Sequence, residues 1–310
     1  MNKVLSTTSS FEETPEILKM FKEKRLSLIL NPLGRTLTEE EGITLVQEHQ
    51  PIALLAGTGP LGERALRAGY PHLKVISRIG TGWDNVDRKF AEELGIKVCR
   101  TPDAPTQAAV ELTIGLLIDL NRSISLQDRC IRAGTWQKEM GHLISGKTLG
   151  LIGCGRIGKG VAKVAQALGC AVRAYDPYPD HDWHQTNNVP LVSRVETLFE
   201  TSDFISIHAS YSPELKYFIN RDLLSHARSG LILINISRGG IIDESALLEA
   251  LKSGHLSGAA LDVFEKEPYK GPLRELANVI LTPHIGAHTL ETRTRMEMDA
   301  VNNLITALGF

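Results

Sequence analysis

Three glycines set between an apolar strand pattern and an amphipathic helix pattern do most to limit how this chain can fold. Gly153-Cys154-Gly155-Arg156-Ile157-Gly158 directly follows the apolar stretch TLGLI at residues 148–152. It opens a segment in which Ile157, Val161, Val164, Ala165 and Leu168 share one helical face. A strand, a glycine turn and a helix in that order make a cradle for a pyrophosphate. Gly153 permits the tight turn, Gly155 lets the backbone approach the phosphates, and Gly158 lets the helix close on the strand. The helix start then offers unpaired N–H groups and partial positive charge. Such a cradle calls for an acid about twenty residues further on, at the end of the next strand. Asp176 stands there, after Ala171-Val172-Arg173-Ala174-Tyr175. Its carboxylate suits ribose hydroxyls and repels a 2′-phosphate, and Pro177-Tyr178 supplies no arginine, so the cofactor expected is NAD rather than NADP.

Short β-rich runs alternate with helical patterns over nearly the whole chain, which predicts parallel sheets covered by helices. In the first third the strands fall at 3–8, 26–30, 52–56, 74–77 and 96–99. Thr38 with Glu41 three residues on marks a helix start of the capping-box type. Residues 105–135 read as a long helical crossover. A second series follows at 148–153, 171–176, 204–208, 231–236, 259–263 and 279–281, enough for a complete doubly wound dinucleotide fold. A helix from about residue 289 to the end has no sheet left to build, and periodicity does not say which domain it joins.

At 310 residues the chain is long enough for two domains, each with its own core. A formal net charge of -2 gives no global attraction to nucleic acid or acidic membrane. Cys99, Cys130, Cys154 and Cys170 form no CxxC pair and no zinc spacing, so neither metal nor a disulfide framework is expected. The first residues, MNKVLSTTSSF, lack a secretory pattern, and the expectation is a cytoplasmic protein.

Three charged residues follow the last three strands of the second series. Arg238 precedes Gly239-Gly240, Glu267 lies in Glu265-Lys266-Glu267-Pro268, and His284 precedes Ile285-Gly286. Ligands of α/β sheets bind at the carboxyl ends of strands. An arginine grips a carboxylate through two N–H groups. A histidine exchanges protons near neutral pH, and a carboxylate beside an imidazole favours its charged form. Together they fit hydride transfer at the carbinol carbon of a small 2-hydroxy acid.

The sequence resembles the D-isomer-specific 2-hydroxyacid dehydrogenases, and within them the phosphoglycerate dehydrogenase branch. The segments that carry the likeness are RIGTGWDNVD (78–87), AVELTIGLL (109–117), GKTLGLIGCGRIG (146–158), INISRGGIIDESAL (234–247), ALDVFEKEP (260–268) and LTPHIGAHT (281–289). The resemblance implies two doubly wound domains, one flavodoxin-like and one of Rossmann type, with the active site in the cleft between them. It places residues 1–100 and 287–310 in a discontinuous substrate domain and 101–286 in the NAD-binding domain. Arg238 would bind the substrate carboxylate and keto oxygen, His284 would be the acid/base, and Glu267 its partner. Arg78 and the N–H groups of Ile79 and Gly80 would receive the substrate. Beside Gly153, Gly155, Ile157, Gly158 and Asp176, the cofactor set gains Arg156 at the pyrophosphate, Asp262 at the nicotinamide carboxamide, and Ile236 and Gly286. Family members dimerise through the NAD-binding domain, which puts the Gly134–Trp136 arm near a partner.

The substrate this implies is 3-phosphoglycerate, oxidised to 3-phosphohydroxypyruvate on a route to serine. Arg78 suits a phosphate, whereas Ala56-Gly57-Thr58-Gly59 lacks the Arg-Ser pair of many phosphoglycerate enzymes. Hydroxypyruvate or glyoxylate reduction is the alternative, and a dehydrogenase-like regulator that senses NAD(H) is a further one. The chain stops at Phe310, so serine feedback through a regulatory domain is not expected.

Overall fold

The five apolar runs of the first hundred residues become β1 (Asn2–Ser6), β2 (Leu26–Ile29), β3 (Ala53–Ala56), β4 (Val75–Arg78) and β5 (Lys97–Arg100). A computed structural model describes every residue from Met1 to Phe310, and it divides the chain into two units. The first comprises Met1–Pro105 and Thr289–Phe310, the second Thr106–His288. All strand pairs in the first unit are parallel, in the order β2-β1-β3-β4-β5. β3 and β4 are buried along their whole length, which explains why Ala53-Leu54-Leu55-Ala56 shows no polar alternation. Thr38 caps the helix Glu39–His49 in a capping box, its hydroxyl accepting the Glu41 N–H while Glu41 accepts the Thr38 N–H.

The helix Leu290–Leu308 packs on β3, β4 and β5 of this first unit. Met296, Ala300, Val301, Leu304 and Ile305 form its buried stripe, at the spacing of one helical face. Polar contacts fix its register: the Ser77 hydroxyl donates to the Ala300 carbonyl at 2.8 Å, and Asn303 Nδ2 to the Arg100 carbonyl at 3.1 Å. Gly309, in the left-handed conformation, closes the helix.

The second unit holds β6 (Thr148–Ile152), β7 (Ala171–Tyr175), β8 (Phe204–Ile207), β9 (Leu231–Asn235), β10 (Leu256–Leu261) and β11 (Val279–Leu281). Their order is β11-β10-β9-β8-β6-β7, all parallel. A single bridge from Ala174 to Leu191 extends the sheet beyond β7, where a third strand would lie. Pro190 has no N–H to donate, so that edge cannot lengthen into a ladder. With it, the topology reverses between β6 and β8, the position where doubly wound sheets bind dinucleotides.

Two sequence expectations need correction. The 105–135 crossover is two helices, Thr106–Arg122 and Ile124–Arg132, broken at Ser123, whose φ is +50°. β10 starts at Leu256 rather than 259, because Gly258 hides the apolar pattern and the register slips between Leu256 and Gly258. No helix is long and apolar enough to cross a membrane.

Candidate active site

In the second unit, Gly153 turns the chain after β6 with φ +87°. A Cβ there would meet the backbone of His208 and Ala209 at 2.8–2.9 Å, so only glycine lets β6 and the end of β8 lie this close. Gly155 is the N-cap of the helix Arg156–Ala167 and has no side chain to bond the first N–H groups. A Cβ on Gly155 would meet no protein atom within 4 Å. The missing side chain therefore leaves open space over unpaired helix N–H groups, which is the fit a pyrophosphate requires. At Gly158 a Cβ would instead strike the Gly153 carbonyl, so this glycine serves helix-to-strand closure. Arg156, the first helical residue, is exposed at the same end.

Asp176 is fixed at both carboxylate oxygens, accepting the Cys154 N–H at 2.7 Å and the Tyr178 N–H at 2.8 Å. One donor per oxygen leaves lone pairs for ribose hydroxyls. Cys154 is no nucleophile. Burial, then the nearby Asp176 charge, pushes its thiol up to about 12.

The three charged strand-end residues meet within this second unit. Asn235, fully buried at the end of β9, accepts the Ser237 N–H and hydroxyl and donates to the Arg238 carbonyl at 3.0 Å. That knot sets where Arg238 leaves the sheet. Gly239 follows, and a Cβ there would overlap the Phe264 backbone, so the Arg238 turn lies against the loop that carries Glu267. Glu267 Oε1 accepts the Phe264 N–H at 3.2 Å, and Oε2 meets His284 Nδ1 at 2.9 Å. Burial of Glu267 opposes its charge, but the His284 hydrogen bond and charge, the Phe264 N–H and the Arg238 guanidinium outweigh it. Its carboxyl is held below the usual carboxylate range.

His284 has a left-handed backbone, φ +55°, uncommon for a residue with a Cβ. Asp262 holds it there. The His284 N–H donates to the Asp262 carbonyl at 2.9 Å. The Asp262 carboxylate accepts the Thr282 hydroxyl at 2.6 Å and the Ile285 and Gly286 N–H groups at 2.8 Å each. Burial pushes this carboxyl up despite those bonds. Asp262, assigned above to the carboxamide, thus spends three acceptor positions on its own turn, one of them on Gly286. With Nδ1 turned to Glu267, the free ring position of His284 is Nε2. Ile236 sits half-buried one residue past β9. Asn235 was missed in the sequence because an apolar strand ending in Asn carries no signal until its turn is seen.

In the first unit the expected carboxylate donors are already taken. The Ile79 N–H continues the sheet to the Ala56 carbonyl at 2.9 Å, and the Gly80 N–H bonds the Thr101 hydroxyl at 2.8 Å. The open donors lie two residues further on, at Thr81 and Gly82, whose N–H groups have no partner in the chain. A motif-based assignment could not see that the Ile79 N–H still bonds β3 or that Thr101 reaches across from β5. Arg78 is buried, and its guanidinium holds the Ile79 carbonyl and lies 3.4 Å from Asn85 Oδ1. Asn85 in turn donates to the Gly57 and Gly59 carbonyls at 3.1 and 2.6 Å, stitching this loop to the end of β3.

The second unit therefore defines a dinucleotide-binding fold with a histidine–carboxylate pair and an arginine at its strand ends. Residues 114–286 match the family described as D-isomer specific 2-hydroxyacid dehydrogenase, NAD binding domain. The chain belongs to this family, and its cofactor is NAD. It is 38% identical over 296 residues to D-3-phosphoglycerate dehydrogenase of Methanocaldococcus jannaschii, covering 94% of this chain and 55% of that protein. It is 41% identical over 244 residues to hydroxypyruvate reductase of Thermotoga maritima, covering 77% and 78%. The chain spans about half the length of the curated phosphoglycerate dehydrogenases it matches. The crystal structure of a glyoxylate reductase from Paecilomyes thermophila superposes with TM-score 0.87 at 30% identity, covering 99% of this chain and 95% of that one.

Proposed function

We propose that the protein moves a hydride between NAD(H) and C2 of a small D-2-hydroxy acid. The observation that carries this is the convergence of Arg238, Glu267 and His284 in a unit whose Gly155 cradle is open. When bound, NAD supplies the hydride acceptor or donor. His284 Nε2 takes the hydroxyl proton as the C2 hydride leaves, and returns it in ketone reduction. Glu267 holds the imidazole ring through Nδ1, and Arg238 grips the carboxylate and polarises the carbonyl oxygen. Asp176 binds the ribose hydroxyls, and the N–H groups of Thr81 and Gly82 take the substrate carboxylate in place of those of Ile79 and Gly80. The D configuration rests on family membership.

The substrate carried over from the relatives is 3-phosphoglycerate. A second reading, reduction of hydroxypyruvate or glyoxylate, is favoured by one observation: Arg78, the arginine meant for a phosphate, is buried and engaged with its own loop. A panel of 3-phosphohydroxypyruvate, hydroxypyruvate, glyoxylate, pyruvate and 2-ketoglutarate, each with NADH and NADPH, tests both. Turnover of the phosphorylated acid at far higher kcat/KM supports the first reading, and preference for the unphosphorylated acids supports the second. No turnover of any of them with NADH contradicts the proposal and favours an NAD(H)-sensing role.

We also propose a homodimer through the second unit. After the helix Ile124–Arg132, which buries no side chain, Trp136, Met140 and Leu143 are 85%, 91% and 73% exposed. Three large apolar side chains this exposed in one short stretch of chain suit an interface. Trp136→Glu should convert a sedimenting dimer to monomer, and a wild-type monomer contradicts the assignment.

A further inference from the structure

The ring of Trp83 carries two guanidinium groups, with Arg88 Cζ 4.3 Å and Arg100 Cζ 4.2 Å from its centroid. Both lie well within the range in which a cation is held by an indole face. Arg100 ends β5 and Arg88 opens the helix Arg88–Glu93, so the stack joins two rigid elements through one loop side chain. Arg100 does a second thing: its Nη1 donates to the Thr81 carbonyl at 3.0 Å. That carbonyl and the Gly82 N–H belong to one planar trans peptide and point in opposite directions. Pulling the carbonyl onto a guanidinium therefore aims the unpartnered Gly82 N–H away from it, and polarises the peptide into a stronger donor. Further along, Asn85 anchors the loop to the end of β3, and the Val86 N–H returns to the Trp83 carbonyl at 3.1 Å. Between Gly80 and Asn85, the Thr81 hydroxyl reaches the Pro102 carbonyl at 3.4 Å, and Arg100 holds the Thr81–Gly82 peptide by its own carbonyl.

We propose that Arg100, seated over the Trp83 ring, is a positioning residue that presents the Gly82 N–H to the substrate carboxylate. This rests on the reading that a 2-keto or 2-hydroxy acid binds at this loop. Arg100 acts through the peptide rather than by touching substrate, so its loss weakens substrate binding more than turnover. A guanidinium is needed: lysine keeps the charge but neither the planar stack nor the fork.

The test is steady-state kinetics of the full chain with the best keto acid of the panel, with KM for the keto acid and for NADH read separately. Arg100→Ala is expected to raise the keto-acid KM about tenfold or more, while kcat falls less than about threefold and the NADH KM stays put. Arg100→Lys should recover little of it, and Trp83→Phe, which keeps an aromatic face, should lose less than Trp83→Leu. Arg67→Ala is the control, since Arg67 stacks on Phe90 in the same unit without touching the loop. A keto-acid KM within about twofold of wild type in Arg100→Ala overturns the proposal, as does full recovery by Arg100→Lys, which would reduce the effect to net charge. If Arg100→Ala does not fold, Trp83→Leu is judged by the same limits. If the wild type turns over no keto acid, the reading of the function fails. Calorimetric binding of oxamate to the NADH complex then decides the proposal: weaker binding to the Arg100 variant supports it, and equal or no binding overturns it.

Discussion

His284 holds an uncommon backbone conformation and, in the proposed reaction, exchanges a proton, and different neighbours serve the two demands. Asp262 anchors the turn through its carbonyl and both carboxylate oxygens, while Glu267 reaches only the ring. Changing Glu267 should therefore alter the chemistry and leave the turn in place. The His284 hydrogen bond and charge help hold the Glu267 carboxyl below its usual range against the opposing effect of burial. Glu267→Gln should slow ketone reduction while leaving NADH binding in place, and unchanged turnover assigns Glu267 a structural part only. For stability the sign is that of a depressed acid. The contribution of Glu267 is present above its ordinary value of 4.5 and is lost as pH falls through the lowered one. Both side chains are more than a third exposed, so this amounts to a few tenths of a kcal/mol at most.

At the scale of elements, the glycines of the second unit divide into those that close protein on protein and those that leave room. Gly239→Ala drives a methyl group into the Phe264 backbone and should cost about 3 kcal/mol or more, read as a lowered urea midpoint. Gly155→Ala meets nothing in the chain and should leave that midpoint unchanged while weakening NADH binding, followed by fluorescence, about tenfold. Equal destabilisation by the two contradicts the reading of Gly155 as a ligand-facing position. Much of this scale was legible in the sequence. All eleven strands overlap expected runs, with β10 displaced by three residues at its start, because buried parallel strands are short apolar stretches bounded by turn residues. The glycine cradle was legible because Gly153, Gly155 and Gly158 stand together between one strand and the helix that follows it. What stayed hidden depends on partners far apart in sequence. The Leu191 bridge is a single residue beside a proline, the break at Ser123 interrupts an otherwise continuous helical pattern, and the donors of Ile79 and Gly80 are consumed by Ala56 and Thr101. Arg238, Glu267 and His284 could be named from strand-end position and family likeness, but not the Asn235 and Asp262 knots that hold two of them.

For the molecule as a whole, His208 should contribute to the loss of stability on the acid side. It follows β8 against the Gly153 turn, its Nε2 meets the Ser206 hydroxyl at 2.9 Å, and its buried Nδ1 has no partner. Burial lowers its pKa from 6.5 to about 3. A histidine kept neutral in the fold contributes full stability above 6.5 and loses it as pH falls from there toward 3, at up to about 1.4 kcal/mol per pH unit. The urea midpoint should fall through that window, and His208→Gln should flatten the curve. An equally steep curve in the variant assigns the acid sensitivity elsewhere.

Turnover of a 2-keto acid with NADH through His284 is best checked by comparing the wild type with His284→Ala, using the best substrate of the panel and monitoring NADH consumption and NADH binding together. The variant is expected to lose several orders of magnitude in kcat while binding NADH as tightly as the wild type. Turnover within about tenfold of the wild type, or loss of NADH binding in step with activity, would contradict this role of His284.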